Sequence, residues 1–343
     1  GTPVHDDAGG PGGRRSDADL RPARQNAQRC KNTSGSAIPF AGWTFSLNQS
    51  GKEFLKLDRF YGEGFCLPLG KRTYTMGILN VTPDSFSDGG KWFNPDAAAA
   101  HALEMQAHGA DLLDLGAQST RPGHVEIPPE QELARLAPVL ERLKGNLHIP
   151  ISIDTYYPQV AQKALELGAQ IINDVSGRFS EQMAQVIRSH GAGWIVMHTG
   201  GGTADTQEAY PEGVTANVRA FFQTMAQQAE RFGIPGHALC MDPGIGFGKS
   251  YQENLTLLRD TAHLRLPGYA LLVGVSRKRV VGQATGVEKA ADRMLGTVAA
   301  NVAAIAGGCD IIRVHDVLEC VESAKMADAI FRQSAKGEGP ADG

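Results

Sequence analysis

Eight times along this chain a short apolar run ends on a polar residue that a packed core does not need. The runs are Met76-Gly-Ile-Leu-Asn80, Leu112-Leu-Asp114, Ile151-Ser-Ile-Asp154, Ile171-Ile-Asn173-Asp174, Trp194-Ile-Val-Met-His198, Leu239-Cys-Met-Asp242, Leu271-Leu-Val-Gly-Val-Ser276 and Ile311-Ile-Arg313-Val-His315. Between them lie stretches long enough for one helix each. A βα unit repeated eight times closes into a barrel. The runs are continuously apolar, as parallel strands covered on both faces should be. Doubly wound open sheets show the same alternation, but eight units favour the (β/α)8 barrel. Reactive groups in such a barrel sit where the strands end. The candidates are therefore Asn80, Asp114, Asp154, Asn173, Asp242, Ser276 with Arg277 and Lys278, and Arg313 with His315.

Composition narrows the class. The 343 residues carry a formal net charge of -4, which argues against a nucleic-acid surface built on excess Lys and Arg. No apolar stretch approaches the roughly 20 residues that span a bilayer, so no membrane association is expected; Val298 to Ala306 reads as a buried helix. Five cysteines in no C-x-x-C pair suggest a reducing compartment, the cytoplasm, and argue against a disulfide framework or zinc site. Residues 1–52 are rich in Gly, Pro, Asp, Arg, Ser and Asn without periodicity, and are expected to be a disordered extension. It lacks the apolar stretch of a secretory signal, and Asp6, Asp7, Asp17 and Asp19 argue against a transit peptide. Residues 53–343 form the barrel domain, introduced by a β-hairpin that pairs Gly64–Gly70 with Arg72–Thr75 across Gly70-Lys71 and closes the N-terminal mouth. Helix boundaries are marked by Asn94-Pro95 and by Gly109, Gly168 and Gly191.

The glycine-rich piece Asp242-Pro-Gly-Ile-Gly-Phe-Gly-Lys-Ser250 imitates a phosphate loop, but Pro243 occupies the position where a Walker loop needs its first Gly. Its glycines are expected to let the loop come close to a flat ligand. Asp154, Asn173 and Asp242 end three different strands and could together accept from ring N–H and amino groups of a heterocycle. The bland reading is that each caps the next helix. Lys278, Arg313 and His315 end strands seven and eight, a common phosphate site in barrels. Arg121 adds a further cation, and a magnesium ion would complete the charge balance of a diphosphate. His198 carries no assigned role.

These residues are similar to a known family. Met76-Gly-Ile-Leu-Asn-Val-Thr-Pro-Asp-Ser-Phe-Ser-Asp-Gly-Gly90 resembles the first signature of the dihydropteroate synthases. Ser119-Thr-Arg-Pro-Gly123, Ile151-Ser-Ile-Asp-Thr155, Ile172-Asn-Asp174, Asp242 to Lys249, Ser276-Arg-Lys278 and Arg313-Val-His-Asp316 resemble its remaining motifs, in order. The resemblance implies a transferase that joins 6-hydroxymethyl-7,8-dihydropterin diphosphate to 4-aminobenzoate, with sulfonamides as competitors. It implies that Asp154, Asn173, Asp242 and Lys278 hold the pterin. Asn80, Arg121, Arg313 and His315 would hold the diphosphate, with Mg²⁺ at Asn80. Thr120, Pro122 and Ser276 would line the aminobenzoate site. Catalysis would fall to Asp154, Lys278, Arg313 and His315. A moving loop over Val81 to Gly90 would impose pterin-first binding, and late helices would form a homodimer.

Two positions depart from the family pattern. Ala117-Gln118 stands where Gly-Glu is usual, and Thr199 where Met is usual, followed by Gly200-Gly-Gly202; the wall after strand five is expected to be looser. Three other readings compete. A corrinoid-dependent pterin methyltransferase would share the acids but not need Arg121, Arg313 and His315. A Schiff-base lyase would use Lys278. A non-catalytic pterin binder would bind without turnover.

Overall fold

The computed structural model describes residues 59–82, 94–118, 126–200 and 210–332. A short antiparallel hairpin comes first, β1 (Arg59–Gly62) with β2 (Phe65–Pro68). The parallel strands are β3 (Tyr74–Asn80), β4 (Leu112–Gly116), β5 (Ile151–Asp154), β6 (Ile171–Asp174), β7 (Gly193–Met197), β8 (Leu239–Asp242), β9 (Ala270–Val273) and β10 (Ile311–Val314). They close in the order β10-β3-β4-β5-β6-β7-β8-β9, so the fold is the expected (β/α)8, or TIM, barrel. Among the described residues the helices are α1 (Pro95–Ala107), α2 (Pro129–Leu143), α3 (Pro158–Glu166), α4 (Glu181–His190), α5 (Val214–Arg231), α6 (Tyr251–Arg259), α7 (Thr261–Leu264), α8 (Arg279–Thr285), α9 (Met294–Ala306) and α10 (Val317–Phe331).

Local chemistry sets these boundaries. The Asn94 side chain accepts from the Asp96 and Ala97 amides, with Pro95 opening α1; capping of this kind is worth about 1 kcal/mol. Gly191 ends α4 in the left-handed conformation. Strand alternation then sorts side chains into two layers. Leu113, Leu115, Ile153, Ile172, Trp194 and Ile312 face outward into the core beneath the helices. Met76, Leu112, Ile171, Ile195, Leu272 and Ile311 face inward, and Phe60, Phe65 and Leu67 of the hairpin pack against them. The hairpin thus plugs the N-terminal end of the barrel. There the chain runs so close to it that a Cβ on Gly193 would lie 2.7 Å from the Phe65 ring and 2.9 Å from that of Phe60.

Three expectations need correction. The hairpin turns at Glu63-Gly64, not at Gly70-Lys71, and pairs β1 with β2; Tyr74 and Thr75 pair instead with Ile311 and Ile312 of β10. The barrel can close only if β3 lies between β10 and β4, and that takes the Tyr74 stretch away from any hairpin. The run from Val298 to Ala306 is not a fully buried helix. Within that run of α9, Asn301, Ala304 and Ile305 are buried, while Ala299, Ala303 and Ala306 are exposed. Cys240, Cys309 and Cys320 are free and buried, as small core residues, but Cys66 in β2 is disulfide-bonded.

Candidate active site

The inward residues change character toward the strand ends. Above the apolar layer stand Asp114, Asp154, Asn173, Asp242 and Arg313, all inward by alternation and all at the C-terminal mouth. Register places them side by side: Gly116 lies opposite Asp154, and Asp154 opposite Asn173. Arg313 reaches across the barrel. Its Nε donates to Asp114 Oδ2 at 2.6 Å, and its Nη2 donates to Asp154 Oδ2 at 2.9 Å. Asn173 Nδ2 donates to the same Asp114 oxygen at 3.1 Å. One guanidinium therefore holds two carboxylates, and one of those orients the carboxamide. Gly116 and Gly274 leave the space: a Cβ on Gly116 would sit 3.4 Å from Asp154 Cβ and 3.6 Å from Asn80 Oδ1, and one on Gly274 3.7 Å from Arg313 Cβ.

The network is incomplete on one side. Asp114 Oδ1, Asp154 Oδ1 and Asn173 Oδ1 are buried without a hydrogen-bond partner. Buried acceptors left unmade cost about 1–3 kcal/mol each, so a cluster of them at a barrel mouth points to a ligand that donates N–H groups. The capping reading fails, because the residues that begin the following helices are others. Ser180 accepts from the Met183 amide at the start of α4, and Ser250 forms a capping box with Glu253 at the start of α6.

Electrostatics separate the groups. Burial pushes the Asp154 carboxyl up to about 7; Arg313 opposes the shift and Asp114 adds to it. Burial also raises Asp242, against the pull of Lys278 and the Gly244 amide, which donates to Asp242 Oδ1 at 2.8 Å. Lys278 is brought down to about 8 by burial, partly offset by Asp242. Its Nζ donates to the Ile245 carbonyl at 2.5 Å and stands 4.7 Å from the Phe247 ring centroid.

Ser276 and His315 form a pair at the rim. Ser276 Oγ lies 3.0 Å from His315 Nδ1 and accepts from the His315 amide at 3.1 Å. Between the two site residues Ser276 and Lys278, Arg277 takes a left-handed backbone (φ 58), uncommon for a residue with a side chain. It is anchored by a bidentate pair with Asp316 and by Thr297 Oγ1, which accepts from its amide at 3.0 Å. The loops after β9 and β10 are thereby tied to each other.

The expected site is brought together for the most part. Asp154, Asn173 and Arg313 share one network, Asp242 faces it from the end of β8 and Lys278 from the loop after β9, Asn80 stands beside Asp154, and Ser276 meets His315. Arg313, expected at the diphosphate, commits Nε and Nη2 to carboxylates. Thr120, Arg121 and Pro122 lie outside the described residues, as does most of the loop from Val81 to Gly90. His198 is a packing residue: its Nε2 lies 2.9 Å from Asn217 Oδ1 and its ring stacks edge-on to Phe221, while burial draws its pKa down to about 4. In the wall after β7 the described residues Thr199 and Gly200 are closely packed, and Gly201 and Gly202 lie outside the described residues. Thr199 packs against Gly177, and Gly200 against the Gly248 backbone. Gly244 and Gly248 of the loop after β8 make that protein contact, while Gly246 lies against the Lys278 side chain. Gly244 has φ 65, and a Cβ there would run into the His198 carbonyl.

Three residues carry more than their sequence positions suggested. Asp114, a candidate without a role, anchors both Arg313 and Asn173. Glu132 is 1% exposed and is pushed up to about 7 by burial, against a hydrogen bond from Thr155. Its signal was spacing, since Glu132, Leu136 and Val139 occupy one helical stripe. Lys249, which looked like the lysine of a phosphate loop, is buried at the base of its own loop.

Comparison with known proteins bears on this geometry. Residues 76–315 match the family model described as pterin binding enzyme. The chain is 43% identical over 265 residues to a dihydropteroate synthase of Synechocystis, covering 77% of this chain and 92% of that one. The chain belongs to the dihydropteroate synthase family. Solved dihydropteroate synthase structures superpose on it. One is from Xanthomonas albilineans with 4-aminobenzoic acid, 40% identical, with a TM-score of 0.74 over 80% of this chain and 98% of that one. Another, from Yersinia pestis with a sulfonamide drug complex, is 38% identical, with a TM-score of 0.73 over 79% and 98%. The mouth with the orphaned acceptors is thus that of a dihydropteroate synthase barrel.

Proposed function

We propose that this chain condenses 6-hydroxymethyl-7,8-dihydropterin diphosphate with 4-aminobenzoate, giving 7,8-dihydropteroate and diphosphate. The amine nitrogen forms a bond to the pterin methylene carbon. The carbon–oxygen bond to the leaving group breaks with its electron pair going to diphosphate, and the nitrogen gives up one proton. The observation that carries the assignment of the pterin site is the set of buried, unpartnered oxygens on Asp114, Asp154 and Asn173, which match the N–H edge of a pterin. Asp242 at the end of β8 and Lys278 after β9 close the slot.

Loss of diphosphate leaves positive charge on the methylene. A preorganised carboxylate in a water-poor site stabilises such charge strongly, and Asp154 stands where it can act, provided it is ionised. Arg313 first holds that carboxylate; among the described residues its Nη1 has no protein partner, and this nitrogen is left for the departing diphosphate. His315, braced by Ser276, is the second group for it, and Arg121 would be the third. Ser276, with Thr120 and Pro122, would border the aminobenzoate.

Magnesium fits in one form. Among the described residues no three His, Cys, Asp or Glu side chains gather as a cage. Asn80 would offer one amide oxygen, with the remaining ligands from diphosphate and water, the usual habit of Mg²⁺ with phosphates. Bound there, it would offset charge on the leaving group. A homodimer is supported by apolar exposure on α9 and α10, where Leu295 is 77% and Met326 63% exposed, with Ile330 and Phe331 about half exposed. No described helix is long and apolar enough to cross a membrane; the buried thiols of Cys240, Cys309 and Cys320 favour a cytoplasmic protein, and the disulfide at Cys66 counts against it.

The test is diphosphate release with both substrates and Mg²⁺, alongside an Asp242→Asn variant. Release that requires all components and drops at least about 100-fold in the variant supports the reading. Unaltered kcat/KM in the variant would remove Asp242 from the pterin site. Binding of the pterin diphosphate without turnover in the unmodified protein would favour a non-catalytic binder.

A further inference from the structure

Lys249 is 5% exposed and lies outside the network described above, yet its ammonium is saturated. Nζ donates to the carbonyls of Gly244 and Phe247, each at 2.9 Å, and of His198 at 3.2 Å. An ammonium has three N–H donors and no acceptor, so three carbonyls use it completely. The same geometry would suit a small monovalent cation, but here the cation is tethered to the chain.

What Lys249 gathers matters. Gly244 and Phe247 belong to the loop after β8, and His198 ends the β7 segment beside it. The loop bends tightly, with left-handed glycines at 244, 246 and 248, and such a path turns carbonyls inward that no strand or helix satisfies. On its other side Asn254 holds the loop, accepting from the Gly246 amide at 2.6 Å and donating to the Lys249 and Ser250 carbonyls. Everything this loop presents to the barrel mouth depends on that shape. The Gly244 amide orients Asp242, the Ile245 carbonyl receives Lys278, and the Phe247 ring lies against the Lys278 ammonium. Burial draws Lys249 down to about 7 and Asp242 opposes that shift; the three carbonyls accept from the ammonium, and in that form Lys249 favours the ionised Asp242.

We propose that Lys249 is a positioning residue for the pterin slot, an internal cation that holds the Pro243–Gly248 loop so that Asp242, Lys278 and Phe247 meet the ring. The proposal rests on the assignment of Asp242 to the pterin site. It specifies that Lys249 acts on pterin affinity and leaves the aminobenzoate site alone, and that a free cation of the right size can stand in for it.

The experiment compares Lys249→Met and Lys249→Ala with the unmodified protein. It measures the Kd of the pterin diphosphate by calorimetry, KM for 4-aminobenzoate and thermal midpoint. The expected result is a rise of 10-fold or more in pterin Kd, with KM for 4-aminobenzoate within about twofold. Methylammonium chloride should restore pterin binding to Lys249→Ala at least severalfold. It should do nothing for Lys249→Met, whose side chain fills the space, and tetramethylammonium, which has no N–H donors, should rescue neither. Lys249→Gln, which keeps two N–H donors, is the milder variant should the others be unstable; its pterin Kd should rise severalfold. Pterin Kd within twofold in all soluble variants overturns the proposal. So does parallel weakening of both substrates without amine rescue, or failure of all three variants to fold, since either makes Lys249 a support of the fold alone. If Asp242→Asn binds pterin normally, the site assignment itself fails, and these two failures are read from different variants.

Discussion

Asp114 and Asp154 share one guanidinium nitrogen, and their coupling can be read out as a pH profile. Arg313 Nη2 lies 2.6 Å from Asp114 Oδ2 and 2.9 Å from Asp154 Oδ2. Two radii about one atom put those oxygens at most about 5.5 Å apart. At an effective dielectric of about 20, two unit charges at that separation repel by about 3 kcal/mol, equivalent to about two pH units. Asp114 is one of the causes that raise Asp154 to about 7, after burial itself. Asp114→Asn keeps the shape and removes the charge. If catalysis needs the Asp154 carboxylate, kcat/KM for the pterin diphosphate should fall on the acid side near pH 7 in the unmodified protein. In the variant that limb should lie about two pH units lower. The assay is diphosphate release from pH 5 to 9 at subsaturating pterin, where kcat/KM reports groups of the free enzyme. A limb that stays in place, or moves to higher pH, would falsify the coupling and with it the demand for an ionised Asp154.

Glu132 has its carboxyl raised to about 7 in the fold, against about 4.3 when unfolded, so its contribution is full below about pH 4 and is lost as the pH rises through 7. Glu132→Gln removes that loss, and the thermal midpoint of the variant relative to the unmodified protein should climb between pH 5 and pH 8; a constant difference would contradict the burial argument. Gly244→Ala meets both a left-handed backbone and the His198 carbonyl, and should lower unfolding free energy in urea by at least about 3 kcal/mol; a loss under 1 kcal/mol would show that the loop can yield. Leu295→Asp with Met326→Asp should convert a dimer to monomers in sedimentation velocity without altering the barrel's circular dichroism. An unmodified chain that is already monomeric would count against the dimer.

The barrel was legible because eight buried strands write themselves as eight apolar runs, and the strand-end rule then named most of the mouth. What escaped depended on distance along the chain or on competing signals. Gly64 and Gly70 are equally good turn residues, and only closure of β3 between β10 and β4 decides that the hairpin ends before Tyr74. The tie between Arg313 and Asp114 is invisible locally because the two stand 199 positions apart. Lys249 carried a misleading motif, Gly-Lys-Ser, and nothing local reveals that its ammonium turns back to the His198 carbonyl, 51 positions earlier. Glu132 is an acid inside an apolar helical stripe, and the stripe alone does not tell whether its carboxyl is buried or reaches solvent.

The plug formed by β1 and β2 gives the barrel a front and a back. The chain enters β1 at the N-terminal end, where Glu63 donates its amide to the Gly191 carbonyl ahead of β7. The chemistry lies at the other end of strands such as β3, whose seven residues span roughly 20 Å at strand rise. The described chain thus begins on the face opposite the substrates, and a substitution on β1 or β2 acts on the floor of the barrel, one strand length away from the chemistry.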